Sequence, residues 1–224
     1  SSDLHNLGHP SAQKLQNVLR QQGYADQIIQ GIMDFRCNTC HETQSPKIAR
    51  PATLSDVRES NDCVGCDLIT WTSKSGKNHQ FVHVVDSATN FQLAMPVFRT
   101  DAESLFEAYQ SVWTQWAGPC KQLVIDNASA LCSEQFSQFM QSQDTHLRVV
   151  AAYAQWQMGK TERHGEIIQQ MLKKYDHDQS IETAEDFQQA LRQCCQAKNA
   201  LSRVKGYTPE ILVLGKSRPL PGSV

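Results

Sequence analysis

The sequence predicts an α/β domain with a mixed β-sheet, preceded by a small helical unit. Two observations support this fold class. In the central region, short apolar runs of strand length come first and then alternate with segments of helical periodicity, as in α/β domains with a mixed sheet. Residues 1–44 carry only two short amphipathic helical patterns, and their apolar surface is too small for an independent core. The small unit therefore needs an additional stabilising element.

The small unit is predicted to contain two helices. Ser11 can cap the first, whose apolar residues Leu15 and Val18 share one face, and Gly23 can end it. The second is predicted at residues 25–33, where isoleucines recur at helical spacing. Two helices of this length expose one apolar face each, so they must pack on something else.

Five apolar runs predict the strands of the sheet, at residues 63–70, 79–86, 91–98, 121–126 and 146–150. The second and third strands are predicted to form a hairpin whose turn begins at Asp86. Thr100 and Glu103 have the spacing of a capping box, which would open a helix running to about Ala117.

Later segments are predicted to be helical. Ser133 can cap one helix, and two long helices are expected at about 160–175 and 184–202, the latter beginning through Thr183 and Asp186. The predicted organisation is a helical unit (1–44), a linker containing two prolines (45–61), a core (62–205) and a tail with a short helix (206–224).

Composition limits the functions that the chain can have. The apolar fraction of 40% is compatible with a core, and no apolar run is long enough to span a bilayer, so no membrane partner is expected. The net charge of −2 does not by itself favour DNA binding. The sequence from Lys198 onwards is nevertheless rich in Lys and Arg, and its only acidic residue is Glu210. The eight cysteines favour metal binding and burial over disulfides, so a reducing intracellular compartment is expected.

His5, His9, Cys37 and Cys40 match the ligand types and spacing of a tetrahedral zinc site. The histidines lie one helical turn apart, and the cysteines bracket a tight turn. Zinc bound there would connect the ends of the helical unit and contribute to its folding free energy. The sequence thus predicts a structural zinc ion.

Two other interpretations of these residues stay open. The histidines could be surface residues and the thiols could be buried without a metal. Cys37 and Cys40 could also bind zinc together with Cys63 and Cys66. Cys66, however, immediately precedes Asp67, and successive residues of a strand point to opposite faces.

Three carboxylates, Asp67, Asp126 and Glu162, lie where two strands and a helix could bring them together. Asp67 lies within a strand, Asp126 ends another, and Glu162 is predicted near the start of a long helix. Because the chain has 23 acidic residues, these contexts carry more weight than the interval of 35 residues between Asp126 and Glu162. Two Mg²⁺ or Mn²⁺ ions would offset the mutual repulsion of such carboxylates and support phosphodiester chemistry.

With these motifs the chain resembles the integrases of retroviruses and LTR retrotransposons over nearly its whole length. The matching motifs are His5-Asn-Leu-Gly-His9-Pro-Ser, Cys37-Asn-Thr-Cys40, Val85-Asp86-Ser-Ala-Thr, Asp126-Asn-Ala-Ser and Gly159-Lys-Thr-Glu162-Arg-His-Gly. The Leu-Gly-His-Pro wording leans towards the copia type. The resemblance implies a zinc-binding N-terminal domain and an RNase H-like core with a catalytic triad of Asp67, Asp126 and Glu162. It also implies 3′-end processing and strand transfer of element DNA into target DNA.

Further expectations follow from the resemblance. The partners would be double-stranded DNA, as element ends and target, and further copies of the chain in a homodimer or homotetramer. The protein would act in the nucleus, or in a virus-like particle or the cytoplasm before import. Lys160, Arg163, Lys173 and Trp156 are candidate DNA contacts, although the lysines could equally be solvated surface charges.

Two other functions are compatible with the sequence. An RNase H-like nuclease would take a metal ligand from the helix after the hairpin, where Glu103 and Glu107 lie, and could use Asp86 at the strand end. An integrase-derived module could also bind DNA or protein without catalysis. The intact set of three carboxylates favours the enzyme.

Overall fold

A five-stranded mixed sheet forms the centre of the computed structural model. Its strands are β1 (Cys63–Thr72), β2 (Asn78–Asp86), β3 (Gln92–Val97), β4 (Gln122–Asp126) and β5 (His146–Val150). Their spatial order is β3-β2-β1-β4-β5, with β1, β2 and β3 antiparallel and with β4 and β5 parallel to β1. The predicted α/β class is confirmed, and each strand end lies within two residues of its predicted position.

The structure describes residues 8–34, 37–43, 59–127, 130–150, 158–204 and 206–218. The helices in these ranges are α1 (Ala12–Gln21), α2 (Asp26–Asp34), α3 (Asn38–Thr43), α4 (Ala102–Tyr109), α5 (Glu134–Ser142), α6 (Gly159–Gln179), α7 (Ala184–Leu201) and α8 (Pro209–Leu214). A π-helical turn (Gln110–Thr114) and a last α-turn (Gln115–Ala117) continue α4, and a 3₁₀ turn (Ala130–Cys132) precedes α5. No helix of the described ranges is long and apolar enough to cross a membrane. Most of the predicted linker lies outside these ranges.

The two faces of the sheet carry separate apolar clusters, because successive strand residues point to opposite sides. On β1, Val64 and Cys66 belong to the cluster beneath α4 and α5, whereas Ile69 and Trp71 pack with residues of α6 and α7. Asp67, Ile69 and Trp71 occupy every second position of β1, so their side chains point to the same face of the sheet. The Asp67 carboxylate therefore lies on the α6 side of the sheet.

Three predicted helix starts are confirmed. The hydroxyls of Ser11 and Ser133 each accept a hydrogen bond from a backbone N–H in the first helical turn. Thr183 and Asp186 form a reciprocal capping box at the start of α7. Local side-chain chemistry is therefore sufficient to fix these boundaries.

The start of α4 differs from its prediction. Asp101, rather than Thr100, caps the helix and accepts hydrogen bonds from the backbone N–H and the hydroxyl of Ser104, both at 3.1 Å. A carboxylate is a charged acceptor at the positive end of the helix dipole, so it is favoured over a neutral threonine hydroxyl. Glu103 is consequently an exposed first-turn residue, and the predicted box of Thr100 and Glu103 is wrong.

The β2–β3 turn begins at Asp86, as predicted. The buried carboxylate accepts hydrogen bonds from the backbone N–H of Thr89 (2.8 Å), the Thr89 hydroxyl (2.6 Å) and the backbone N–H of Asn61 (2.9 Å). Trp113 in the π-helical turn donates through Nε1 to Oδ1 of Asn61 (2.9 Å). Asp86 thus joins the hairpin to the entry of β1, which is a sufficient structural function for this carboxylate.

The small helical unit packs directly against the core. Val18 of α1 belongs to the apolar cluster of α6 and α7. Gly8 lies so close to Met171 of α6 that a β-carbon at this position would overlap the methionine methyl group. Thr39 of α3 donates a hydrogen bond to Asp178 of α6 at 2.7 Å. Helix α6 therefore contacts both the sheet and the helical unit.

Candidate active site and metal centre

Strand register places Asp67 and Asp126 next to each other. β1 pairs with β4 in parallel, with Gly65 opposite Val124, and Asp67 and Asp126 lie two residues further along the two strands. Val124 packs with Met158 beside the start of α6, so Asp126 shares the side of the sheet on which Asp67 lies. Since neighbouring strands are about 4.8 Å apart, the two carboxylates enter the same space.

Glu162 reaches this space from the first turn of α6. The preceding Thr161 packs against Gly65 of β1, where a β-carbon would overlap the threonine hydroxyl. One helical turn later, Gly165 packs against Ile69, whose Cδ1 would lie 2.6 Å from an added β-carbon. One glycine on the strand and one on the helix therefore allow the close approach that places Glu162 over β1.

Replacement of Gly65 by Ala is expected to destabilise the fold and displace the start of α6. The added methyl group would overlap Thr161, and overpacking of this kind costs about 1–3 kcal/mol, which urea unfolding would measure. Gly159→Ala is the matched control, because a β-carbon there meets no atom within 4 Å. Equal destabilisation by the two substitutions would contradict the role of close approach.

The site is strongly acidic. The pKa of the Asp67 carboxyl is raised to about 6, first by burial and then by the charges of Asp126 and Glu162, although a hydrogen bond from the Leu68 backbone acts in the opposite direction. The structure describes Asp67, Asp126 and Glu162, and their carboxylate oxygens are not all within 4.8 Å of one another. Such a separation is expected of like charges without a bound cation. The all-oxygen donor set of these carboxylates fits Mg²⁺ or Mn²⁺, which would offset the repulsion.

Asp67→Asn is expected to stabilise the metal-free protein at neutral pH. The folded-state pKa of about 6 lies above the ordinary value of 3.8, so the protonated carboxyl stabilises the fold below about pH 4 and this stability is lost as pH rises through 6. Asparagine cannot ionise and so avoids this loss, and the free energy of unfolding at pH 7 should rise by up to about 3 kcal/mol. Urea unfolding at pH 7 and pH 4 measures it. An equal difference at both pH values would contradict the assignment.

Sequence reasoning did not identify a buried polar group beneath α6. Oε1 of Gln92 accepts hydrogen bonds from Nδ1 of His164 on α6 (3.0 Å) and Nε2 of His83 on β2 (3.3 Å), and the Asn199 amide bonds to the Gln92 backbone. Burial lowers the pKa of His164 to about 2 and that of His83 to about 4. His83 of β2 lies directly opposite Asp67 in the β1–β2 register, but its neutral ring supplies no positive charge to the carboxylate. The signal in the sequence was a polar residue, Gln92, at an inward strand position.

The predicted zinc ligands His9, Cys37 and Cys40 come together. Their ligand atoms all lie within 4.8 Å of one another, and Nδ1 of His9 is 3.2 Å from Sγ of Cys37. Burial raises the pKa of the Cys40 thiol, whereas the charge of Lys174 acts in the opposite direction. The fourth predicted ligand, His5, lies outside the described residues. One imidazole and two thiols are a donor set that fits tetrahedral zinc.

Two alternative ligand sets are not assembled in the described part of the chain. Cys66 is fully buried in the cluster beneath α4, and Cys63 lies beside β4, so neither joins the cysteines of the helical unit. Glu103 and Glu107 are exposed on α4, which packs on the face of the sheet opposite Asp67. The four-cysteine zinc site and the nuclease-type ligand set are therefore not supported.

The predicted DNA contacts have different surroundings. Arg163 and Lys173 are exposed on α6. Lys160 is half-buried and donates a hydrogen bond to the backbone carbonyl of Ser87, so it links α6 to the β2–β3 turn. Trp156 lies outside the described residues. Of the predicted DNA contacts that the structure describes, Arg163 and Lys173 are thus the exposed ones.

The basic stretch near the C-terminus is largely engaged within the chain. Burial lowers the pKa of Lys198 to about 8. Arg203 donates to the side-chain oxygen of Gln21, and Arg218 pairs with Glu210, both at 2.5 Å. Of the positive residues that the structure describes here, Lys198, Arg203 and Arg218 are therefore engaged within the chain, whereas Lys216 is exposed.

The chain matches no protein-family profile and no curated protein sequence, but it matches solved structures. The magnesium-bound HTLV-2 integrase catalytic core domain in its dimeric form aligns with a TM-score of 0.56 at 19% identity, over 67% of this chain and 94% of that one. The catalytic core domain of BIV integrase gives 0.56 at 16% identity, over 69% and 95%. The fold is that of retroviral integrase catalytic cores. A chain of the simian T-cell lymphotropic virus intasome in complex with PP2A regulatory subunit B56 gamma aligns with a TM-score of 0.64 at 18% identity. This alignment covers 92% of the present chain and 73% of the intasome chain, so it includes more of the present chain than the alignments with the isolated cores.

Proposed function

We propose that the chain is an integrase, a metal-dependent polynucleotidyl transferase that processes the 3′ ends of retroelement DNA and joins them to target DNA. The observation that carries the proposal is the convergence of Asp67, Asp126 and Glu162 on one face of a sheet with the integrase-core fold. The neighbouring HTLV-2 core in complex with magnesium supports the use of a divalent cation.

The three carboxylates would hold two cations, one between Asp67 and Asp126 and the other between Asp67 and Glu162. Bound there, the cations would lower the pKa of the attacking water or 3′-hydroxyl and stabilise the leaving oxygen of an in-line displacement. Asp67 must be ionised for this arrangement. Because its pKa without a cation is about 6, protons compete with the cations below that pH, and a higher Mg²⁺ or Mn²⁺ concentration should be needed for the same activity.

DNA would approach along the exposed surface of α6. Arg163 directly follows Glu162 and Lys173 lies three turns further along, so both can contact phosphates near the reacting strand. Lys160 would act mainly through the β2–β3 turn that it supports, and Trp156 would contact DNA from the segment before the helix. Because two DNA ends must be joined, we propose a homodimer or homotetramer, which the dimeric HTLV-2 core and the simian intasome support.

The helical unit would be a zinc-binding domain in which His5 completes the group of His9, Cys37 and Cys40. The alignment with the intasome chain supports this organisation, because it covers 92% of this chain, whereas that with the isolated HTLV-2 core covers 67%. We further propose an origin in a retrovirus or an LTR retrotransposon, with a copia-like leaning. The protein would act in the nucleus, or in a virus-like particle or the cytoplasm before import.

The test is incubation of the chain with Mg²⁺ or Mn²⁺ and a branched DNA in which a donor end is joined to a target duplex. The expected result is a resealed target strand and a released donor end, with no product in EDTA or with Asp126→Asn. Persistent activity in the variant would overturn the two-cation site. DNA binding without conversion by the wild-type chain would favour the non-catalytic module instead.

A further inference from the structure

The two ring nitrogens of His9 face different partners. Nδ1 lies 3.2 Å from Sγ of Cys37, and Nε2 lies 2.7 Å from Oδ2 of Asp178. The histidine side chain is 2% exposed and the aspartate side chain 7%, so little water competes for this contact. His9 belongs to the helical unit, whereas Asp178 lies in the last turn of α6, the helix whose first turn carries Glu162.

The thiol-facing side of His9 has the geometry of a zinc ligand. Zinc bonds of about 2.1 Å to nitrogen and 2.3 Å to sulfur, at a tetrahedral angle, separate the two ligand atoms by about 3.6 Å. The observed separation of 3.2 Å from Cys37 is close to this value. Nδ1 is therefore the nitrogen placed to bind zinc, which would leave Nε2 to carry the ring proton beside Asp178.

Asp178 contacts both parts of the zinc group. Its Oδ1 accepts a hydrogen bond from the Thr39 hydroxyl at 2.7 Å, while its Oδ2 faces His9. Thr39 lies between the two cysteine ligands and directly precedes Cys40. One carboxylate of the core therefore holds the segment that carries the histidine and the segment that carries the thiols.

The backbone around His9 is fixed by the same surface. His9 has a φ of +51°, a left-handed conformation that is uncommon for residues other than glycine. The preceding Gly8 also has a positive φ and packs on Met171 of α6, where an added β-carbon would overlap the methionine methyl group. This conformation is thus maintained by contact of the segment with α6, which also presents Asp178.

We propose that Asp178 is a positioning residue of the zinc centre, which fixes the tautomer and orientation of His9 and thereby couples zinc binding to docking of the helical unit on α6. The inference rests on the proposed zinc site. A carboxylate that orients a metal-bound histidine typically changes metal affinity 10–100-fold. Here the carboxylate comes from the helix that carries Glu162, so zinc binding also stabilises the C-terminal half of that helix.

The first test is the rate of zinc release from the full chain to a chromogenic chelator. Asp178→Asn offers one acceptor oxygen and no charge where His9 and Thr39 require two acceptors, and it should speed release 10–100-fold. Asp144→Asn makes the same chemical change at an exposed residue before β5, outside the zinc group, and should leave release near the wild-type rate. The cobalt(II)-loaded Asp178→Asn protein should also show a shifted visible spectrum, which a purely structural role of Asp178 would not produce.

The second test needs no substitution. Removal of zinc from the wild-type chain should accelerate amide hydrogen exchange over residues 171–179 of α6 more than over β4, and equal exchange in both states would overturn the coupling. Wild-type release and an unchanged cobalt spectrum in Asp178→Asn would overturn the role of Asp178 while leaving the zinc site intact. Absence of zinc binding by the wild-type chain would contradict both the zinc site and the role of Asp178.

Discussion

Glu162→Gln is expected to lower the rate of strand transfer by about 1000-fold, a loss typical of removing one group that stabilises developing charge. Glutamine keeps the size and the hydrogen-bonding oxygen of glutamate but lacks the charge required to hold a cation against Asp67. The fold should not change, because Glu162 is only partly buried and glutamine has the same size. Single-turnover assays with a preprocessed donor end would measure the rate.

Glu166→Gln is the matched control for this substitution. Glu166 lies one turn further along α6 and is exposed, so the same chemical change occurs on the same helix outside the proposed cation site. Its rate should stay within about threefold of the wild type, since it removes no cation ligand. Comparable losses in Glu162→Gln and Glu166→Gln would show that α6 needs negative charge in general, and would contradict a specific ligand role.

Removal of zinc is expected to unfold the helical unit while the sheet stays folded. Structural zinc supplies on the order of 10 kcal/mol to small domains of this kind, and α1 to α3 have few buried residues of their own, among them Leu15, Val18 and Ile29. Chelation should therefore reduce the helical signal in far-ultraviolet circular dichroism. The near-ultraviolet signal of Trp71 and Trp113, which are buried in the core, should persist.

Cysteine substitutions separate the metal from the loss of a thiol. Cys40→Ser should reproduce the effect of chelation without any chelator, because serine is a poor zinc ligand. Cys63→Ser is the control, since Cys63 lies at the edge of β1 beside Gln122 and outside the zinc group. Full retention of helical signal and zinc content in Cys40→Ser would contradict the assignment of Cys40.

Much of the fold follows from local sequence signals. The apolar run that stops at Asp126 predicts the end of β4, and the alternation around Asp67 predicts its face, because both depend on a single strand. The capping residues of α1, α5 and α7 are likewise local. The convergence of Asp67, Asp126 and Glu162 was predicted from their positions on two strands and at a helix start, and then from the motif resemblance. Local patterns alone do not give the order of strands in space on which it depends.

What sequence reasoning missed depends on partners that are distant in the chain. Gln92 appears as an ordinary polar strand residue until His164, 72 residues later, is placed above it. Gly65 has no local turn to explain it, and only the approach of Thr161 does. The bond from the Lys160 ammonium group to the carbonyl of Ser87 likewise depends on a partner 73 residues away in the chain.

The alternation along β1 has a consequence for insertions and deletions. Loss or gain of one residue between Val64 and Asp67 would turn the carboxylate into the apolar cluster beneath α4 and bring the Cys66 thiol towards Glu162, since a shift of one residue exchanges the two faces of a strand. Such a change would remove a cation ligand and bury a charge at once. The length of this strand is therefore expected to tolerate no single-residue change.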